Sequence, residues 1–369
     1  MITKRWDQLV RIISGKNQKS VVNPNGEYPI YGSGGIIGYA DDFLCEAGAT
    51  IVGRKGTINN PILVNERFWN VDTAFGICSG PELNHKYLYY FCQFFDFKSL
   101  DKSTTIPSLA KSDLLNIEMP VPPLSEQERI VARIEELFSQ LDSGVETLKK
   151  IKQQLAVYRQ AVLYKAFFNI TNSTTMGNIA QIIDPQPSHR TPPEAIRGIP
   201  YIGIGDINYN GNTIDFYGAR KVSPAILKEH TERYTLHDGD FIMGKIGTIG
   251  KPFKVQLPQD YTLSANVILI KPDREKILPD FLFWQFSSPF VTKQLTEGAT
   301  ATSQPAFGIK KARLLSIKIC GLDQQKECVK EIESRLSICD NIEKTMDTTL
   351  QQAEAMRQSI LKQAFEGRL

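Results

Sequence analysis

The chain repeats itself, and that repeat restricts its possible folds more than any other feature. Gly48-Ala-Thr-Ile-Val-Gly-Arg-Lys-Gly-Thr-Ile58 matches Gly239-Asp-Phe-Ile-Met-Gly-Lys-Ile-Gly-Thr-Ile249, at an offset of 191. A later stretch matches at an offset of 198: Leu124, Gln127, Val131, Ile134, Glu135, Ser139 and Asp142 face Leu322, Gln325, Val329, Ile332, Glu333, Ser337 and Asp340. The same register continues with Gln153, Gln154, Arg159, Gln160, Leu163, Ala166 and Phe167 against Gln351, Gln352, Arg357, Gln358, Leu361, Ala364 and Phe365. Near the start the offset is only about 171, where Tyr28-Pro-Ile-Tyr-Gly32 faces Ile199-Pro-Tyr-Ile-Gly203. The offset grows along each half and then holds. Each copy is therefore a part of variable length followed by a segment of fixed length.

The fixed segment is helical. From Ser125 to Phe168 there is no proline and a single glycine, Gly144. Apolar residues recur at Ile130, Ile134, Leu137, Leu141, Val145, Leu148, Leu155, Tyr158 and Val162, in steps dominated by three and four. The second copy repeats the pattern through Val329, Ile332, Leu336, Cys339, Ile342, Met346, Leu350, Ala353, Met356 and Ile360. Pro120, Pro122 and Pro123 halt the chain before the first helix, and Ser125 with Glu128 reads as a capping box. At 1.5 Å per residue each helix would run about 66 Å. A helix of that length with one apolar seam needs a partner, and the nearest is the other copy. Two unrelated surface helices are the alternative.

The variable parts read as α+β. Short β-branched and aromatic runs at Thr50–Val52, Ile62–Val64, Tyr201–Ile204, Phe241–Met243 and Val267–Ile270 predict strands joined by glycine turns. Short apolar helices are predicted at His85–Phe95 and Asp280–Phe286. The resulting division is 1–105 and 172–304 for the two globular modules, with 106–171 and 305–369 for the helical regions.

Much is excluded. The longest apolar stretch, Tyr87–Phe95, is too short for a bilayer span of about 20 residues. The N-terminus has no apolar core of a signal peptide. Six cysteines (45, 78, 92, 320, 328, 339) and four histidines show no metal-ligand spacing, so reduced thiols and a cytoplasmic setting are expected. Gly239-x4-Gly244-Lys245 fails as a phosphate-binding loop because Ile246 stands where Ser or Thr must hold magnesium. The turn instead presents a cation, Arg54 or Lys245, beside Thr57 or Thr248. That arrangement suits a DNA phosphate, and equally a structural hairpin with a solvated cation. Tyr31-Gly-Ser-Gly-Gly35 is not a dinucleotide fingerprint; it reads as a loop approaching DNA or as a plain turn. No methyl-transfer, hydrolase or metalloprotease signature is present.

The wording around these elements resembles a known family. Pro107-Ser-Leu, Leu114-Leu-Asn-Ile117, Pro120-Val-Pro-Pro-Leu-Ser-Glu-Gln-Glu-Arg-Ile-Val131 and the closing Arg357-Gln-Ser-Ile-Leu-Lys-Gln-Ala-Phe-Glu-Gly-Arg368 look like the specificity subunit of a type I restriction–modification system. The second copy departs from it at Ile319-Cys-Gly-Leu-Asp-Gln-Gln, which replaces the proline-rich approach to the helix. The resemblance implies two target recognition domains of α/β type, separated by two long antiparallel helices that form a coiled-coil spacer. Each domain would read one half of a bipartite double-stranded DNA target. The helices would dock two methyltransferase subunits, and restriction subunits would complete the nuclease. No catalytic residue, metal or cofactor is expected in this chain. S-adenosylmethionine would belong to the methyltransferase partner, and ATP and Mg to the restriction partner.

Candidate DNA contacts are Tyr31, Ser33, Arg54, Lys55, Thr57, Lys102, Thr104 and Thr105 in the first module. In the second they are Arg190, Asn208, Tyr209, Lys245, Thr248 and Gln304. On the outer helix faces and nearby, Lys149, Lys150, Lys152, Lys310, Lys311 and Arg313 are partner contacts or plain solvated charges. The competing function is a cytosolic two-module scaffold that binds proteins through its helical stem, without DNA recognition. The charge balance bears on this choice. There are 43 Lys+Arg against 40 Asp+Glu, and the four segments carry 11 and 10, 8 and 8, 13 and 13, and 11 and 9. No segment is basic, so a DNA reader built this way would depend on its partners for phosphate neutralisation.

Overall fold

A computed structural model describes residues 2–188, 190–209, 211–246, 248–258, 260–299 and 306–369. The chain divides into two units, 1–150 with 346–369, and 151–345. Each long helix therefore contributes one part to each unit.

In the first unit β1 (Thr3–Arg5) runs into α1 (Trp6–Leu9) and β2 (Val10–Ser14). β3 (Tyr28–Gly32), β4 (Gly35–Ala40), β5 (Ala49–Gly53), β6 (Ile62–Val64), β7 (Trp69–Asn70) and β8 (Ala74–Ser79) follow. Then come α2 (His85–Phe94), α3 (Lys111–Leu115), β9 (Glu118–Pro120) and the helix α4 (Leu124–Phe168). The main sheet has the order β2-β8-β5-β6, a second sheet has β4-β3-β7, and β1 pairs antiparallel with β9. That last pairing ties residues beyond 105 into the first module.

The second unit repeats the plan. Its strands are β10 (Ser173–Thr175), β11 (Ala180–Ile183), β12 (Ile199–Ile202), β13 (Ile207–Asn208), β14 (Thr213–Ile214) and β15 (Lys221–Val222). After α5 (Pro224–Thr231) come β16 (Phe241–Gly244), β17 (Pro252–Lys254), β18 (Thr262–Leu263) and β19 (Val267–Pro272). α6 (Pro279–Phe286), α7 (Pro289–Gly298), α8 (Ile309–Arg313), β20 (Ser316–Lys318) and α9 (Leu322–Phe365) complete it. The sheets are β11-β19-β16-β17, β15-β12-β18 and β10-β20, with β13 and β14 forming an extra hairpin. The registers match as well. Gly53 faces Ala74 in the first copy, and Gly244 faces Val267 in the second.

The cores explain why the helices sit on their modules. Ile130, Val131 and Ile134 of α4 and Ile360, Leu361, Ala364 and Phe365 of α9 are buried with Trp6, Tyr87, Phe91 and Phe97. In the second unit Val162, Leu163 and Phe167 join Val329, Ile332 and Leu336 against Phe241, Phe281 and Phe286. Within each unit the helix segments run antiparallel. Arg357 pairs with Asp142 and lies over the Phe138 ring at 4.9 Å, while Arg129 donates to the Leu369 carbonyl at 2.9 Å. In the second unit Arg159 reaches Asp340 at 2.6 Å and Glu343 at 3.0 Å.

One amide in each copy fixes the helix start. Gln127 is fully buried, accepts from the Asn84 N–H at 2.8 Å, and donates to the carbonyls of Glu82 at 2.9 Å and Pro122 at 2.8 Å. Gln325 is equally buried and does the same with Leu278 N–H, Lys276 and Cys320. The helix begins two residues earlier than the Ser125–Glu128 capping box predicts. The Pro123 carbonyl accepts from Glu126 and Gln127 N–H, which leaves Ser125 inside the first turn.

Candidate nucleic-acid interface

The conserved-length glycine turn has the same construction in both modules. A Cβ on Gly53 would meet the Thr57 carbonyl oxygen at 2.0 Å, and one on Gly244 the Thr248 oxygen at 1.7 Å. Only glycine lets the strand fold back so tightly. In the first module Gly56, at φ +81°, completes the turn, and Arg54 N–H donates to Thr73 O at 2.8 Å. Arg54 O accepts from Leu109 N–H and Lys245 O from Phe307 N–H, each at 2.9 Å. A segment ahead of each long helix thus closes onto the turn.

In the first module this closure makes a cleft of about 540 Å³ lined by Arg54, Lys55, Lys102, Lys111, Ser108 and Asp113, among others. Four cations and one carboxylate meet there, inside a module whose net charge is near zero. The Arg54 guanidinium lies 5.9 Å from the Phe75 ring centre and donates to the Asp72 carbonyl at 3.4 Å. Lys102 pairs with Asp113 at 2.9 Å yet stays 79% exposed. Lys111 donates to the Ile12 carbonyl at 2.7 Å. Ser33 comes close to the turn, since its Oγ is 3.6 Å from where a Gly56 Cβ would be. Thr57, Thr104 and Thr105 are exposed on the adjoining loops. Tyr31 lies apart from this cleft. It is buried edge-on against Phe68 at 5.5 Å, and burial raises its pKa.

In the second module Lys245 is not presented to solvent. Its side chain is 11% exposed and pairs with Asp184 at 2.7 Å. The cation expected to grip phosphate thus has a carboxylate partner within its own fold. Thr248, Arg190 and Asn208 are exposed. Tyr209 donates to the Lys251 carbonyl at 3.2 Å, and the Lys251 ammonium sits 4.1 Å over its ring. Burial pushes the Tyr209 hydroxyl up to about 12. Gln304 lies outside the described residues. Two basic residues went unread in the sequence. Lys111 comes two residues after the Pro107-Ser-Leu motif, which could have flagged it, whereas Lys251 reaches its ring across a gap of more than forty residues and left no local signal.

Residues 3–156 match the family model described as type I restriction modification DNA specificity domain. The chain is 26% identical to the type I restriction enzyme EcoBI specificity subunit of Escherichia coli, over 86% of this chain and 73% of that one. It is 22% identical to the EcoDI specificity subunit of the same species, over 100% and 88%. Among solved structures, a chain from work on complex assembly and conformational transition of the type I R-M system superposes with a TM-score of 0.76, at 16% identity, covering 100% of this chain and 98% of the other. The HsdS subunit from Thermoanaerobacter tengcongensis gives 0.55 at 16% identity, covering 100% and 97%. The duplicated two-module fold is the one these solved structures share. The chain is similar to the type I restriction–modification specificity subunits over most of its length. Among the described residues, no helix is long and apolar enough to cross a membrane.

Proposed function

We propose that the two modules read the two halves of an interrupted duplex DNA target, and that α4 and α9 set the gap between them. The observation that carries this reading is the structural duplication. The same strand–glycine turn recurs at the same register in both modules, and each is joined to a helix of nearly the same length (45 and 44 residues). Base edges are read by side chains in the major groove, while cations on phosphates fix register. Helices of about 66 Å match roughly two turns of DNA at ~34–36 Å each. Two methyltransferase subunits would dock on the helices, and restriction subunits would join them, in the cytoplasm. S-adenosylmethionine would be bound by the former, and ATP with Mg by the latter.

The first module's cleft is the better candidate for gripping phosphate, and the second reads with less help from cations. Non-specific affinity comes mainly from phosphate neutralisation, so the near-neutral chain would bind DNA weakly until its partners close around the duplex. The test is co-expression with the cognate methyltransferase, followed by sequencing of methylated adenines. A split motif with one constant gap supports the reading. Absence of methylation, with the methyltransferase present and soluble, would favour the scaffold alternative.

A further inference from the structure

We propose that Cys78 and Cys45 of the first module form a thiol-exchange site, in which Cys78 takes a mixed disulfide from a small-molecule disulfide and Cys45 resolves it. Cys78 lies on β8 directly opposite Arg11 of β2. Together with Arg11, Glu46, Asn65 and His85 it lines a cavity of about 460 Å³. Cys45, next in sequence to the lining residue Glu46, is completely buried. Its backbone is clamped to Phe68 in both directions, at 3.0 and 3.1 Å. Its thiol faces the Asn70 Oδ1 at 3.4 Å, and the Asn70 amide nitrogen is itself held by the Ile13 and Ala74 carbonyls. A Cβ on Gly76 would sit 2.3 Å from the Cys45 sulfur, so the missing side chain two residues from Cys78 is what makes room for that thiol on their shared strand face.

The groups facing Cys78 favour its thiolate. The neighbouring Cys45 thiol favours the charged form most, the Arg11 guanidinium adds to it, and burial and Glu46 oppose them. The Cys78 thiol is drawn below the usual thiol range, while its proximity and burial push the Cys45 thiol up. An accessible thiolate backed by a buried thiol is the arrangement used by reversible redox cysteines. The second module has no counterpart. By register Lys271 stands at the position of Cys78 and Gln181 at that of Arg11, and Lys271 is paired with Asp240 at 2.5 Å.

The chemistry balances. The Cys78 thiolate attacks one sulfur of the incoming disulfide, forming a mixed disulfide and releasing one thiolate. That thiolate takes the Cys45 proton. The Cys45 sulfur then attacks the sulfur of Cys78 and expels the second small thiol. Two protein thiols are oxidised, and one small disulfide is reduced to two thiols.

The experiment treats the full-length chain with oxidised glutathione and reads intact and peptide masses. The wild type should gain a bond between peptides 45 and 78. Cys45→Ser should stop at a single glutathione on Cys78, and Cys78→Ser should remain free of both products. A bond elsewhere, or a Cys45→Ser protein without the Cys78 adduct, overturns the proposal. Should a variant fail to fold, iodoacetamide labelling of the wild type decides. Cys78 should react at least ~10-fold faster than Cys320 and Cys328, whose thiols are raised by burial, with a rate that climbs at a lower pH than theirs. Equal or faster labelling at Cys320 or Cys328 overturns it too.

Discussion

Replacing Gln127 by Met would keep the side chain's length and apolar stem while deleting three hydrogen bonds from a site with no solvent access. The Asn84 N–H would lose its acceptor, and an orphaned buried donor costs about 1–3 kcal/mol. The carbonyls of Glu82 and Pro122 would each lose a donor, adding roughly 1 kcal/mol apiece. Tighter apolar packing of the thioether returns part of that, leaving a net loss of ~2–4 kcal/mol. For a unit of this size the loss lowers the melting temperature of the first unit by roughly 5–15 °C. Asn84 also caps α2 through its side chain, so the damage should spread to that helix start. Differential scanning calorimetry of the full chain, with hydrogen exchange of the Asn84, Lys86 and Tyr87 amides, reads both effects. Gln325→Met should act on the second unit in the same way. Gln153→Met, on an exposed position of the same helix, is the control. Equal melting and equal exchange for Gln127→Met and Gln153→Met would refute the reasoning.

Further outcomes follow from the same geometry. Arg54→Ala should weaken DNA binding by the assembled complex and lower the salt slope by about one phosphate, measured by titration at several salt concentrations. Lys245→Ala should instead leave Asp184 unpaired and cost the second unit about 3 kcal/mol, the lower end for a mostly buried pair, with little change in salt slope. His230 is buried, with Nδ1 at 2.5 Å from Thr262 Oγ1 and Nε2 at 2.5 Å from Gln186 Oε1. Burial, with Arg233 adding to it and Glu229 opposing, lowers its pKa. The unfolded chain therefore takes up the proton first, and the second unit should lose stability as pH falls below about 6.5, towards the lower folded value. His230→Gln should flatten that part of the pH–stability curve. Inserting four residues into both long helices moves the modules' attachment points by about 6 Å, and should lengthen or abolish the permitted gap in methylation sequencing. An unchanged gap would remove the helices as its ruler.

The elements that could be read from sequence are those whose signal is local. Both long helices, the strands at Ile62–Val64 and Val267–Ile270, and the glycine turns announce themselves by periodicity or by a conformation only glycine accepts. What stayed hidden depends on distant partners. Lys245 looks like Arg54 in sequence, but its fate is decided by Asp184, sixty-one residues earlier. Tyr31 stands beside a glycine-rich loop and so resembles an exposed aromatic, yet β3 is buried on both faces between its neighbours and Phe68. Gln127 and Gln325 stand out in the repeat only as matching letters. Their role depends on carbonyls and amides more than forty residues upstream, which no helical period encodes. The capping box fails for a related reason, because the Pro123 carbonyl is already in place to start the helix.

The first unit draws its core from both ends of the sequence, and this bears on the order of events at the ribosome. The Phe365 ring sits 5.1 Å from Tyr87, 5.3 Å from Phe91 and 5.4 Å from Phe94. None of these contacts can form until residue 365 has emerged, well after every residue of 151–345 has been made. The module translated second is thus the first able to finish folding. Meanwhile the earlier one waits with its α2 aromatics uncovered, a window in which a chaperone or an already-made partner subunit has its clearest opportunity to shield it.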